Sequence, residues 1–341
     1  YEWSFKMWQD AGLLTLKVAR KEQEKGMILK DSTPFNVQFI KGKPVFIDTL
    51  SFEKYSEGEP WVAYRQYCEC FLATLLLMHY NHPDTNKLFT IYPNGIPLDL
   101  LVTLLPNKAR FNFNNLMHIF LQAKVKGGGS NKNAATDKKL SAAKLDLLFQ
   151  SLIGYTSSLK QRKAKLIWDD YYTNTILNNE YLQAKAVLVK SFVSAVSFEK
   201  MIDLGANDGY FSMLFKDQNK QIISVDGDAN CINELYTKIR KEKIRTILPL
   251  INNLTAPSPA IGWNNAERDS INSRLKADVI MVLALIHHLA IACNLPLSFV
   301  ADWLSKMGPN LVIEFVPKSD EKVKMLLQNR EDIFPGYTLD N

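Results

Sequence analysis

The sequence predicts an α/β protein: a parallel sheet with helices on both faces, preceded by a mainly helical α+β N-terminal domain. Three observations carry this. Residues 199–228 read as a short apolar strand, a glycine-punctuated turn that opens a helix, and a second apolar strand ending on an acid. That is the first half of a nucleotide-type βαβ unit. Strand and helix patterns then keep alternating, as a parallel sheet requires. Upstream, residues 126–138 are rich in Gly, Ser, Asn and Lys and cannot bury a core, so a flexible loop is expected there. The expected organisation is a helical domain over 1–125, that loop, a helical lid or connector over 139–198, and the nucleotide-type domain over 199–341.

The residue types in 199–228 are specific. Gly205 and Gly209 let the backbone turn sharply after the strand and approach a ligand where a Cβ would collide with it. Asp203, at the strand's carboxyl end, can receive a cationic amino group. Asp226 ends the next strand, about twenty residues beyond the first glycine, where an acid can accept both hydroxyls of a ribose. A dinucleotide site takes G-x-G-x-x-G, whereas this turn runs Gly205-Ala206-Asn207-Asp208-Gly209 with an acid on either side. Such an acidic mouth attracts no pyrophosphate.

The pattern resembles motif I and the following acidic motif of class I S-adenosylmethionine-dependent methyltransferases, whose ligand brings a sulfonium and an amino acid moiety. The resemblance implies a Rossmann-like sheet and S-adenosyl-L-methionine as cofactor, bound by Asp203, Gly205, Asn207, Gly209, Asp226 and Asp228. A third strand over 244–251 runs into Asn252-Asn253, and the resemblance puts Asn253 at the adenine edge, since its amide both donates and accepts.

A helix is expected over 264–275 and a fourth strand over 278–285, followed at once by Ile286-His287-His288-Leu289. Ligands of open α/β sheets bind beyond the carboxyl ends of the strands. His287 and His288 are therefore the candidate catalytic residues, as a general base near neutral pH or as a guide for an acceptor hydroxyl. No Asn-Pro-Pro-Tyr type sequence occurs there, which argues against an amino acceptor on a base or a glutamine. A helix over 296–307 and a fifth strand over 311–316 follow, and Glu314 near that strand's end is a candidate for the substrate. Trp168, Tyr171, Tyr172 and Tyr181 lie around a helix that in methyltransferases often covers the cofactor's amino acid end; they are candidates for lid or substrate contacts, beside plain packing.

The whole order resembles a bacterial group of class I methyltransferases that includes nodulation-related proteins. It implies a methyltransferase acting on an O or N atom of a small-molecule or carbohydrate-like acceptor. The acceptor itself is not implied.

The N-terminal third carries a second pattern. Asp31, Asn36 five residues later, a hairpin and Asp48 closing an apolar strand reproduce the catalytic-loop and metal-aspartate spacing of protein and aminoglycoside kinases. No glycine-rich loop or strand lysine precedes it, and Thr49-Leu50 stands where Phe-Gly is usual. The reading is a retained kinase-like scaffold, with an active phosphotransferase as one rival to the methyltransferase and a catalytically silent module that keeps the cofactor fold as the other. Cys68, Cys70, His79 and His82 could be imagined as a zinc set, but positions i and i+2 do not share a helix face. Buried thiols are expected instead, and no metal.

Composition narrows the rest. At 341 residues two domains are expected, and 47% hydrophobic with 22% charged residues is ordinary for a globular chain. The net charge of +6 is modest, and the basic clusters at 160–165 and 238–245 read as solvated helix faces rather than a nucleic-acid footprint. The longest apolar run, 71–78, is far short of a membrane span, and four cysteines suit the reducing cytoplasm. A first residue Tyr and only about 25 residues after the fifth strand suggest a fragment of a longer product.

Overall fold

The computed structural model describes residues 1–125, 141–162, 179–328 and 331–340. The flexible loop expected over 126–138 lies outside the described residues. The chain forms two compact units, Tyr1–Ala164 and Lys165–Asn341.

In the first unit the helix Phe5–Gln23 buries Phe5, Trp8, Ala11, Thr15, Leu16 and Ala19, the i, i+3, i+4 spacing of one helical face. Gly26, with φ of +75°, follows the helix and leads into β1 (Met27–Leu29). Two small antiparallel pairs follow: β1 with β4 (Phe52–Lys54), and β2 (Val37–Ile40) with β3 (Lys43–Phe46). The expected apolar helix around Cys68 is a run of Tyr64–Tyr67, a π turn Cys68–Leu72 and Ala73–Tyr80, with every residue over 70–78 buried. The helix Ala142–Ser158, which the sequence suggests as part of a connector, belongs to this unit. It is tied to the first helix by Arg20–Asp146 at 2.5 Å and by Gln9, whose amide donates to the carbonyls of Thr156 and Leu159. Trp8 sits fully buried, with the rings of Trp3 and Phe89 each 5.2 Å away.

The second unit is built on a five-stranded, all-parallel sheet, β5 (Lys200–Leu204), β6 (Gln221–Asp226), β7 (Ile247–Ile251), β8 (Val279–Val282) and β9 (Asn310–Ile313), in the order β7-β6-β5-β8-β9. This is the Rossmann-like sheet order that the sequence implies. β8 is buried at all four positions, as expected of a strand covered on both faces, whereas β9 at the edge exposes Leu311 and Ile313. From β5 the chain crosses first to β6 and β7 on one side and then to β8 and β9 on the other. The crevice beyond the carboxyl ends of β5 and β8 is the switch point where such sheets bind ligands.

The helix Ala229–Lys241 is amphipathic, capped at its start by Asp228 and ending on Lys238, Arg240 and Lys241, which oppose the dipole of its last turn. The helix expected over 264–275 is reduced to Ile271–Arg274. Asn264 and Asn265 take left-handed φ values, and Ile261 bridges to Arg268, so the backbone there is committed to a turn before a helix can nucleate.

Candidate active site

The turn after β5 is built by its backbone. Gly205, Asn207 and Gly209 have φ of +75°, +48° and +77°. The N–H groups of Gly205 and Ala206 both donate to the carbonyl of Val225 on β6, at 2.8 and 3.0 Å. A Cβ on Gly205 would lie 3.2 Å from Leu285, so the corner after β8 rests on the glycine of the turn. A Cβ on Gly209 would lie 2.6 Å from Leu235 of the helix behind it.

Asp226, half-buried at the end of β6, accepts from the N–H of Asn207 and from that of Asp228, each at 2.8 Å. Burial pushes its carboxyl up from the ordinary range, while those backbone bonds pull the other way. Asp203 is buried, and its Oδ2 accepts from Ser212 at 2.6 Å. The Ser212 hydroxyl is also 2.7 Å from that of Ser224. Burial raises the Asp203 carboxyl to about 7, against the Ser212 bond that lowers it.

Beyond β8, Ala284 adopts φ of +49°, a left-handed conformation that a Cβ makes costly and that is common where a site re-aims its backbone. The turn delivers His287, which is fully buried with neither ring nitrogen hydrogen-bonded, its ring 4.0 Å from that of His288. Burial lowers His287 to about 4 and His288 to about 3. The expectation of a base poised near neutrality is thereby corrected: desolvation disfavours the imidazolium in both.

Glu314 lies immediately after β9. Its carboxylate accepts from Tyr181 at 3.3 Å and from Lys185 at 2.5 Å, both on the helix Asn179–Ser194. The Lys185 ammonium also stands 4.9 Å from the centre of the Phe211 ring. Tyr181 is raised, first by burial and then by Glu314.

Two further residues expected at the cofactor make hydrogen bonds within their own turns. Asp228 is buried as a helix cap, its Oδ1 accepting from the N–H groups of Asn230 and Cys231. Asn253 is exposed, and its Oδ1 accepts from the N–H and hydroxyl of Thr255. Asn252 is the buried member of that pair, bonded to the Ser258 hydroxyl at 2.8 Å. Trp168, Tyr171 and Tyr172 lie outside the described residues. Ser212 and Lys185 were not legible as site residues; only the i, i+4 spacing of Lys185 from Tyr181 hinted that the two share a helix face.

In the first unit the kinase-like residues do gather. The Asn36 amide donates to the Asp31 carbonyl at 3.2 Å and to the Ser51 hydroxyl at 2.9 Å, and Ser51 donates to Asp48 at 2.6 Å. That bond and one from the Leu50 N–H hold the Asp48 carboxyl low. Gln66 donates to Asp31 at 2.7 Å. Cys68 and Cys70 are buried, which pushes both thiols up, and His79 contacts the Lys160 carbonyl at 2.6 Å while His82 caps a short turn.

No protein-family model matches the chain. Among solved structures, WbdD is similar to 45% of the chain at 15% identity and a TM-score of 0.32. A coclaurine N-methyltransferase solved with N-methylheliamine and SAH is similar to 34% of it at 16% identity and a TM-score of 0.26. The chain spans only 32% and 30% of those two chains. The nodulation protein NoeA of Rhizobium meliloti (strain 1021) is 33% identical over 344 residues, which is 99% of this chain and 72% of that protein. With that identity sustained along nearly its whole length, the chain belongs to the family of nodulation protein NoeA.

Proposed function

We propose that the second unit is an S-adenosylmethionine-dependent methyltransferase that moves a methyl group to an O or N atom of a small-molecule or carbohydrate-like acceptor. The observation that carries the reading is the Asp226 carboxylate, held between the backbone N–H groups of Asn207 and Asp228 at the mouth of a turn with two left-handed glycines. Each oxygen keeps a lone pair, so the same acid can accept from vicinal hydroxyls. A pyrophosphate would meet the acids Asp203 and Asp226 there.

The cofactor would supply an electrophilic methyl on a sulfonium, a good leaving group. The chain's residues would bind and orient. Gly205 and Gly209 would shape the turn with left-handed backbone packed closely on Leu285 and Leu235, Asp203 would receive the cofactor's cationic amino group, and Asp226 its ribose. His287 would meet the acceptor: a buried imidazole with two unpaired nitrogens costs about 1–3 kcal/mol per orphaned group, a cost removed when a hydroxyl or N–H of the acceptor pairs with it. As a weak base it suits orientation better than proton abstraction, and alignment supplies much of the rate of such a transfer. Glu314, Tyr181 and His288 would complete the acceptor side.

Calorimetry with S-adenosylhomocysteine tests the reading. Binding by the wild type and its loss in Asp226→Ala are expected; no binding, or unaltered binding in the variant, would overturn it.

For the first unit we infer a kinase-like scaffold rather than a phosphotransferase, because Ser51 already ties Asn36 to Asp48. Magnesium- and ATP-dependent phosphoryl transfer that disappears in Asp48→Ala would replace that reading.

A further inference from the structure

We propose that Lys185 receives the carboxylate of the cofactor's amino acid end, with Glu314 holding the lysine in place. The proposal rests on the methyltransferase reading above. Four elements converge on this one ammonium. It projects from the helix Asn179–Ser194, touches Glu314 just beyond β9, and stands against Phe211 in the first turn after the glycine motif. Its charge also acts on Asp203 at the end of β5. The lysine and glutamate side chains are only 15% and 23% exposed, which sets the pair apart from a surface ion pair of little consequence.

The chemistry of the ligand explains why a cation is needed at this point. The amino acid end of the cofactor carries an ammonium and a carboxylate on one carbon. Asp203 suits the ammonium, but Asp226, which acts on Asp203, and Glu314 would repel an added carboxylate, with Lys322 the other cation whose charge reaches this group. Lys185 offsets that. An ammonium has three donors; Glu314 takes one and the Phe211 face takes none, so donors remain for a second carboxylate. Glu314 and Phe211 would fix the flexible stem and so limit the entropy lost when the ligand binds. The alternative role, an ion pair that only fastens the helix to the sheet edge, predicts no discrimination between ligands that differ in their carboxylate.

Calorimetry with three ligands separates the two. S-adenosylhomocysteine carries both charged groups, decarboxylated S-adenosylhomocysteine keeps the ammonium alone, and 5′-methylthioadenosine has neither. Lys185→Gln is expected to weaken the first by about tenfold or more, the scale of one charge-assisted hydrogen bond, and to leave the other two within about twofold. Lys185→Arg should keep most of the affinity for the first. Equal weakening of all three, or no weakening of the first, overturns the assignment. Failure of the wild type to bind S-adenosylhomocysteine overturns the underlying reading together with it, which is a different outcome from a wild type that binds and a variant that does not discriminate.

Discussion

Asp226 accepts a hydrogen bond from the backbone N–H of Asn207 at 2.8 Å, so the acid that ends β6 holds the glycine turn that follows β5. Nineteen positions of sequence separate the two, and the parallel pairing of β5 with β6 brings them together. Its other oxygen takes the N–H of Asp228, where the next helix begins.

Asp226→Ala should therefore loosen the turn as well as remove a ribose ligand. Amide exchange at Asn207 and Asp228 is expected to quicken while the strand amides of β5 stay protected. Unchanged exchange at both would mean that the carboxylate is not what holds the turn.

Asp203 sets a pH dependence. Its folded pKa, near 7, stands above the unfolded value near 4. The folded protein thus binds a proton that the unfolded chain releases between those pH values. The stability contribution is present below about 4 and is lost as pH rises through about 7. Asp203→Asn, which cannot ionise, should gain thermal stability over the wild type on going from pH 5 to pH 8. In the same range S-adenosylhomocysteine should bind the wild type more tightly as Asp203 ionises, and the variant should show no such rise. A wild type with flat stability and flat affinity across pH 6 to 8 would contradict this assignment.

The two histidines have the opposite sign. Their folded values, about 4 for His287 and about 3 for His288, lie below the unfolded value near 6.5. The stability that this confers is present above about 6.5 and lost as pH falls through about 4. Their ring resonances, assigned through single substitutions, should not move between pH 8 and 5.5. A titration midpoint near 6.5 for either would show that it is not desolvated.

Gly209→Ala should be costly. The residue is left-handed and the new Cβ would press on Leu235, a buried side chain with little room to move. A loss of about 2 kcal/mol is expected in denaturant unfolding. A variant as stable as the wild type would mean that the helix Ala229–Lys241 shifts freely.

What could be read from the sequence was local chemistry. The glycines of the turn, the acids closing β5 and β6, and the histidines after β8 each announce themselves by residue type and short-range spacing, because a strand ending in such a turn can be built in few ways. The same reasoning put Asn253 at the adenine edge; β7 ends at Ile251 as expected, but the turn beyond it exposes Asn253 against Thr255 and buries Asn252, a choice that periodicity does not fix. It also over-extended the helix after β7, where left-handed asparagines and a bridge outweigh local propensity.

The sequence by itself determined the alternation of strands and helices and the βαβ turn with its acid, which depend on near neighbours along the chain. Only the tertiary structure decided that Ser212 supports Asp203, that Lys185 meets Glu314, that Ser51 joins Asn36 to Asp48, and that His287 is buried without a partner. Those relationships join residues from separate elements, and the burial that shifts their pKa values exists only once the sheet and its helices have closed around them.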